Sequence, residues 1–299
     1  YSAFNLMTQS GPTILLQQVV WYALGFFVMA AIMFFGNDTI MQYIKKAYFF
    51  LMGCLVYLLL SKYCDALLGF NLPLANEVNG AYAWFQFPFG SFQPSEFMKI
   101  VLIIICADVI TEHNSSRAMV TYTSDIELFK KILQWAAAPL LLILLQPDFG
   151  SGLVMVCSIV VIVLASGAPM RYFVRLALLG GVGLSGLILA APYRLARITS
   201  FLDPWQDPLG SGFQIIQSLF AIAPGGLLGA GLTRSMQKHF YLPEPQTDFI
   251  FAITAEELGW IGGMLVILVY LLIIGEGVRI AKQARDPFLC YVAVGIISL

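Results

Sequence analysis

Residues 249–275 read FIFAITAEELGWIGGMLVILVYLLIIG, a run whose only charged residues are Glu256 and Glu257. A helix of that length rises about 40 Å, more than the roughly 30 Å hydrocarbon core of a bilayer. Its apolar residues cover every face, whereas a barrel strand would alternate polar and apolar positions, so the run reads as a membrane-spanning helix.

The same pattern recurs along the chain, with apolar runs near 15–36, 46–61, 95–111, 131–147, 150–166, 172–191, 249–275 and 286–299. The composition is 59% hydrophobic and 11% charged, with a mean hydropathy of +0.83, where soluble domains are about one quarter charged. That excludes an ordinary soluble domain. The expected fold is an all-α polytopic membrane protein, a helical bundle of about eight spans forming one membrane domain over residues 1–299. Residues 1–10 read as the tail of an earlier span and Leu299 stops inside an apolar run, so further spans are expected beyond the two ends; no signal peptide is visible.

Basic residues in short loops set orientation. With Lys45 and Lys46 on the cytoplasmic side, alternation puts Arg117, Lys130, Lys131, Arg171, Arg175, Arg279, Lys282 and Arg285 there too, ten of the sixteen. Lys62, Arg194, Arg197, Arg234 and Lys238 face outward, and Lys99 falls within a span. Two large segments then lie outside, 62–94 and 192–248. The second is long enough to be functional. Turn signals alternate in it with an amphipathic stretch, Phe213 to Ile222, so it is expected to be structured and to line a cavity.

The five cysteines show no CxxC spacing, and His113 and His239 are far apart in sequence, so no metal site is implied. The outward basic residues are more informative. Arg194 and Arg197 are three apart, Arg234 and Lys238 four apart, and such pairs near a lipid headgroup suit a phosphate-bearing ligand. Balance against Asp203, Asp207 and Glu244 is the alternative.

Ionisable groups inside spans cost about 2.5 to 3.5 kcal/mol each on insertion scales and so call for a reason. FQPSEFMKI at 92–100 opens a helix at Pro94 and sets Glu96 and Lys99 at i, i+3, either as a structural ion pair or as substrate contacts. LLQPDFGSGL at 144–153 places Asp148 to cap the helix that follows. Glu256 and Glu257, about two turns beyond Asp248, are candidates for a buried hydrogen-bond network.

Asp248 stands apart from these acids. It follows Pro243 and Pro245, which stiffen the loop, it opens an apolar run, and no basic residue lies within four positions of it. It reads either as a helix cap, in competition with Thr247, or as an ionised carboxylate able to act as a general base.

Taken together, FQPSEFMKI, LLQPDFGSGL, RITSFLDPWQDPLGSGFQIIQSLFAI, GGLLGAGL and QKHFYLPEPQTDFIFAITAEELG resemble the SEDS family, the FtsW, RodA and SpoVE proteins of bacterial division, elongation and sporulation. The resemblance covers essentially the whole chain and implies ten spans in the complete protein. It implies a peptidoglycan glycosyltransferase that polymerises glycan strands from lipid II at the outer face of the bacterial cytoplasmic membrane. The catalytic aspartate of the TDFIF motif corresponds to Asp248. It also implies a class B penicillin-binding protein as partner, together with other divisome or elongasome membrane proteins, and no nucleic acid.

Lipid II carries an α-linked diphosphate and the product is β-1,4-linked, so the implied transfer inverts the anomeric carbon. Such a displacement needs a base and positive charge for the leaving group, which Asp248 and the basic residues of 192–238 match. A divalent cation, Mg or Mn, can share the second role, although no ligand set in the sequence demands one. The segment NGAYAWFQFPFG at 79–90 departs from relatives that are more basic near the positions of Tyr82 and Ala83. The wording of DPWQDPLGSGFQIIQSL and YLPEPQTDF leans toward the division and sporulation branch. A lipid II flippase and a non-catalytic scaffold for the transpeptidase are the competing readings.

Overall fold

Helix α1, Thr13–Leu68, carries the first two expected spans as two helical stretches that meet at a kink at Gly36, whose φ of 73° and ψ of 176° leave the helical region. The first expected span, 15–36, ends where the helix breaks, and the glycine absorbs the change of direction before a second helical stretch begins at the polar Asn37 and Asp38. The structure, a computed structural model, describes residues 13–78, 80–87, 90–118, 125–175, 178, 181, 199–232, 234–237, 242 and 248–299. Most of the expected 172–191 span lies outside these residues.

Along the chain follow the short antiparallel strands β1, Phe85–Phe87, and β2, Gly90–Phe92, then α2, Pro94–Ala118, α3, Asp125–Leu145, and α4, Phe149–Ala165. Next come a 3-10 turn at Pro204–Gln206, α5 at Phe213–Ile222 and a second 3-10 turn at Ala223–Gly225. Helices α6, Ile250–Gln283, and α7, Pro287–Ile297, complete the order. The protein is a polytopic helical membrane protein. Three helical stretches, Leu16–Leu68, Asp125–Leu145 and Ile250–Gln283, are long and apolar enough to cross a membrane. Helix α2 is of comparable length but carries Glu96, Lys99, Asp108 and Glu112.

The chain forms two compact units, one of Ala23–Phe173 with Ile274–Leu299 and one of Tyr1–Tyr22 with Val174–Ile273. In the first, α2 packs against α3, α4 and α7, and α7 also meets α4. Leu55, Met98, Leu102, Ile103, Ile110, Ile143, Met155 and Ile162 form the centre of its core. Gly295 lets α7 come close, because a Cβ there would lie 2.5 Å from Ile103 Cγ2 and 2.7 Å from Ile162 Cδ1.

The elbow between α3 and α4 is tied to α1 by polar contacts. Gln146 Nε2 donates to Leu55 O at 2.7 Å and Lys62 Nζ to Leu145 O at 2.7 Å. Beyond Leu68 the chain folds back on the end of α1, where Ser61 Oγ donates to Ala75 O at 2.9 Å and Tyr82 donates its phenol proton to Asp65. The first outer segment therefore begins as helix, since α1 runs on to Leu68.

In the second unit the amphipathic stretch 213–222 is helix α5, with Ile216 and Ala221 buried and Leu219 and Phe220 exposed. The lower half of α6 presents Leu265, Leu268, Leu271 and Leu272 outward, as a lipid-facing helix does.

Candidate functional site

Asp248 lies in the turn that leads into α6, where the amide of Ile253 donates to Phe249 O at 3.2 Å. Its carboxylate is exposed, and among the described residues none donates a hydrogen bond to it. Among those residues it is therefore not used as a side-chain cap. Thr247, Pro243 and Pro245 lie outside the described residues.

Helix α6 is broken at Gly259, with φ 71° and ψ −167°. The break removes the helical bonds that Trp260 and Ile261 would make to the carbonyls of Glu256 and Glu257. The glycine-rich loop 225–231 replaces them. Trp260 N donates to Gly226 O at 2.8 Å and Ile261 N to Leu227 O at 3.2 Å, while Glu256 O accepts from Ala230 N at 2.9 Å and Glu257 O from Gly231 N at 3.1 Å. Each backbone group named here is satisfied, as a membrane protein requires.

The same contact explains the glycines. A Cβ on Gly229, φ +82°, would stand 2.1 Å from Glu257 O, and one on Gly259 would stand 2.3 Å from Gly229 N. Backbones can meet at this distance only without side chains.

The two expected network acids are both buried, Glu256 at 3% exposure and Glu257 at 4%. Glu256 Oε2 accepts from Ser235 Oγ at 2.5 Å and Oε1 from Met236 N at 2.8 Å. These bonds bring the loop carrying Arg234 onto α6, with the Arg234 side chain exposed. Beside the break, Ile222, Phe251, Ala255, Trp260, Met264 and Ile267 line an apolar groove of about 310 Å³.

In the other unit Asp148 caps α4, accepting from Ser151 N at 3.1 Å. The same carboxylate accepts from Gln93 Nε2 at 2.9 Å and Ser95 Oγ at 3.2 Å, so it also holds the start of α2. Glu96 and Lys99 form an ion pair of 2.8 Å, with Lys99 nearly buried and Glu96 half exposed. Gln93, Ser95 and Ser235 were not singled out by sequence reasoning. The Gln-Pro pairs before α2 and α4 were its only visible signal.

Arg194, Arg197 and Lys238 lie outside the described residues, so of the four cations of the 192–248 segment only Arg234 has a described position. Among the described residues, no three His, Cys, Asp or Glu side chains gather to hold a metal ion.

Two loop groups have shifted acidities. The amide and hydroxyl of Ser211 hold the Asp207 carboxyl below its ordinary value, and the bond to Asp65 pushes the Tyr82 phenol up to about 12.

Compared with known proteins, residues 1–299 match the model of the FtsW, RodA and SpoVE family, described as cell cycle protein. The chain belongs to this family. It is 50% identical over 221 residues to stage V sporulation protein E of Bacillus subtilis, covering 74% of the present chain. It spans 59% of the length of that relative. A probable peptidoglycan glycosyltransferase FtsW of Geobacter sulfurreducens is 36% identical over 303 residues, covering 100% of this chain and 77% of its own.

Among solved structures, a chain from a peptidoglycan synthase complex that coordinates polymerization and crosslinking aligns with a TM-score of 0.75 and 25% identity, over 99% of this chain and 79% of its own. RodA of Thermus thermophilus aligns with a TM-score of 0.63 over 99% of this chain and 76% of its own, and at 22% identity it speaks for the fold. The helical architecture is thus that of an FtsW/RodA/SpoVE protein.

Proposed function

We propose that this FtsW/RodA/SpoVE protein is a peptidoglycan glycosyltransferase that polymerises glycan strands from lipid II at the outer face of the cytoplasmic membrane. The observation that carries this reading is the exposed Asp248 carboxylate at the entrance to α6, which no described residue engages. Relatives named as probable peptidoglycan glycosyltransferases support the reaction class.

In the proposed transfer Asp248 takes the proton from the acceptor 4-hydroxyl, whose oxygen attacks the anomeric carbon of the donor. The bond to the diphosphate breaks as the new β-linkage forms, and undecaprenyl diphosphate leaves with inversion. Arg234, with Arg194, Arg197 and Lys238, supplies positive charge for the departing phosphates. The apolar groove beside Gly259 suits an isoprenoid chain. A class B penicillin-binding protein is the proposed partner, in keeping with the synthase complex whose chain shares the fold. A divalent cation on the diphosphate would supply further charge, but the described residues offer no ligand set for one.

The interrupted α6 also favours a second reading, a lipid II carrier, because secondary transporters build their substrate sites from discontinuous helices. Against it, both sides of this break are closed by the backbone of 226–231, which suits a static scaffold better than alternating access.

The deciding experiment uses the full-length protein with its transpeptidase partner, purified lipid II and Asp248→Asn. Loss of glycan product with the complex intact supports the polymerase. Undiminished polymer removes Asp248 as the base, and lipid II translocation into vesicles without polymer would favour the carrier.

A further inference from the structure

Glu256 has no part in the bond-making described above, yet three of its atoms hold the segment that carries Arg234. Its main-chain oxygen accepts from Ala230 N at 2.9 Å, and its carboxylate oxygens accept from Ser235 Oγ at 2.5 Å and Met236 N at 2.8 Å. The chain is therefore gripped on both sides of residue 234. Between these anchors the amide of Arg234 donates to Gly231 O at 3.1 Å, closing a tight turn. The Arg234 side chain is exposed, and among the described residues no carboxylate is within ion-pairing distance of it.

A buried carboxylate in a spanning helix is costly unless its oxygens are well bonded. Here both oxygens of one carboxylate accept, from Ser235 Oγ and from Met236 N, whereas an amide side chain offers a single acceptor oxygen, so the carboxylate fixes the loop at two points. Arginine loses much rotamer freedom when it binds a ligand, and a preset backbone reduces what remains to be ordered.

We propose that Glu256 is a positioning residue: it presents Arg234 to the diphosphate of the lipid-linked substrate from the same helix whose entrance carries Asp248. The proposal rests on the polymerase reading and deepens it by naming what orients the phosphate-binding cation.

The test uses the full-length protein in complex with its transpeptidase, with binding of undecaprenyl diphosphate and the KM for lipid II as readouts. Arg234→Ala and Glu256→Ala are each expected to weaken binding about tenfold, as the loss of a charge-assisted contact does, and to raise KM more than they lower kcat. The double variant is expected to bind no worse than either single one. Glu256→Gln keeps one acceptor oxygen and should recover part of the affinity. Losses that multiply in the double variant overturn the proposal, as does a Glu256→Ala protein that melts earlier but binds normally.

If Glu256→Ala does not fold, Ser235→Ala and Glu256→Gln, each alone and with Arg234→Ala, give the same comparison. A wild-type complex that forms no glycan yet shows the coupling would sink the polymerase reading alone. Polymer formation without coupling would sink the positioning role alone.

Discussion

Gly229 and Gly259 meet backbone to backbone, so closely that a Cβ on Gly259 would lie 2.3 Å from the Gly229 nitrogen. Both residues also have positive φ, 82° and 71°. Gly259→Ala and Gly229→Ala are therefore each expected to destabilise the protein by at least about 1–3 kcal/mol, from backbone strain together with the clash. Thermal unfolding in detergent checks this, and a melting temperature equal to wild type would contradict the observed insertion of the loop. Gly225→Ala isolates the steric part, since its Cβ would meet Ala255 O at 2.3 Å without positive φ.

The Asp248 carboxylate is exposed and unengaged among the described residues, so its removal should leave stability within about 0.5 kcal/mol. Activity should respond quite differently. Loss of a general base lowers turnover by roughly 10²–10⁴-fold, and Asp248→Asn should show that loss in a glycan polymerisation assay with an unchanged melting curve.

Asp148 accepts from Ser151 N, Gln93 Nε2 and Ser95 Oγ, joining the start of α4 to the start of α2. Asp148→Ala should cost about 1–3 kcal/mol, combining a lost cap with donors left without their acceptor. Asp148→Asn retains a capping oxygen and should cost less. Urea or thermal unfolding of the two variants gives the order, and equal losses would argue against the cap.

Tyr82 donates to Asp65, which raises its phenol pKa from 10.0 to about 12. A raised folded-state value means that the stabilisation is fully present below pH 10.0 and is lost as the pH climbs through about 12. Titrating phenolate absorbance should find one late-ionising tyrosine that Tyr82→Phe removes. The same substitution should flatten the alkaline fall in stability between those values.

Asp207 behaves in the opposite sense. Its lowered value means that the turn it holds with Gly210 and Ser211 is supported above the ordinary carboxylate value of 3.8 and loosens as acid protonates it. Protection of the 210–212 amides, measured against their intrinsic exchange rates, should fall as the pH drops below 3.8, and Asp207→Ala should show that lower protection already at neutral pH.

Much of the architecture was legible because it rests on short-range pattern. Length and apolar content mark α3, α4 and α6, the amphipathic period marks α5 at 213–222, and the i, i+3 spacing of Glu96 and Lys99 places them within ion-pair reach. Asp148 was legible as a cap from the Gln-Pro-Asp punctuation before an apolar run. The end of the first span at residue 36 was legible where the apolar run stops; that a second helical stretch resumes at once through Asn37 and Asp38 was not, because a glycine kink needs no intervening loop.

By itself the sequence determined a helical membrane protein, the residue types available for chemistry, and the position of an acid where an apolar run begins. Tertiary structure alone decided that α6 breaks at Gly259, that the glycine-rich loop fills the break, and that Glu256 turns inward to hold the residues beside Arg234. The physical reason is range. Helix formation and capping depend on neighbours within a turn, whereas Trp260 finds its acceptor in Gly226, far along the chain, and only the folded backbone brings the two together.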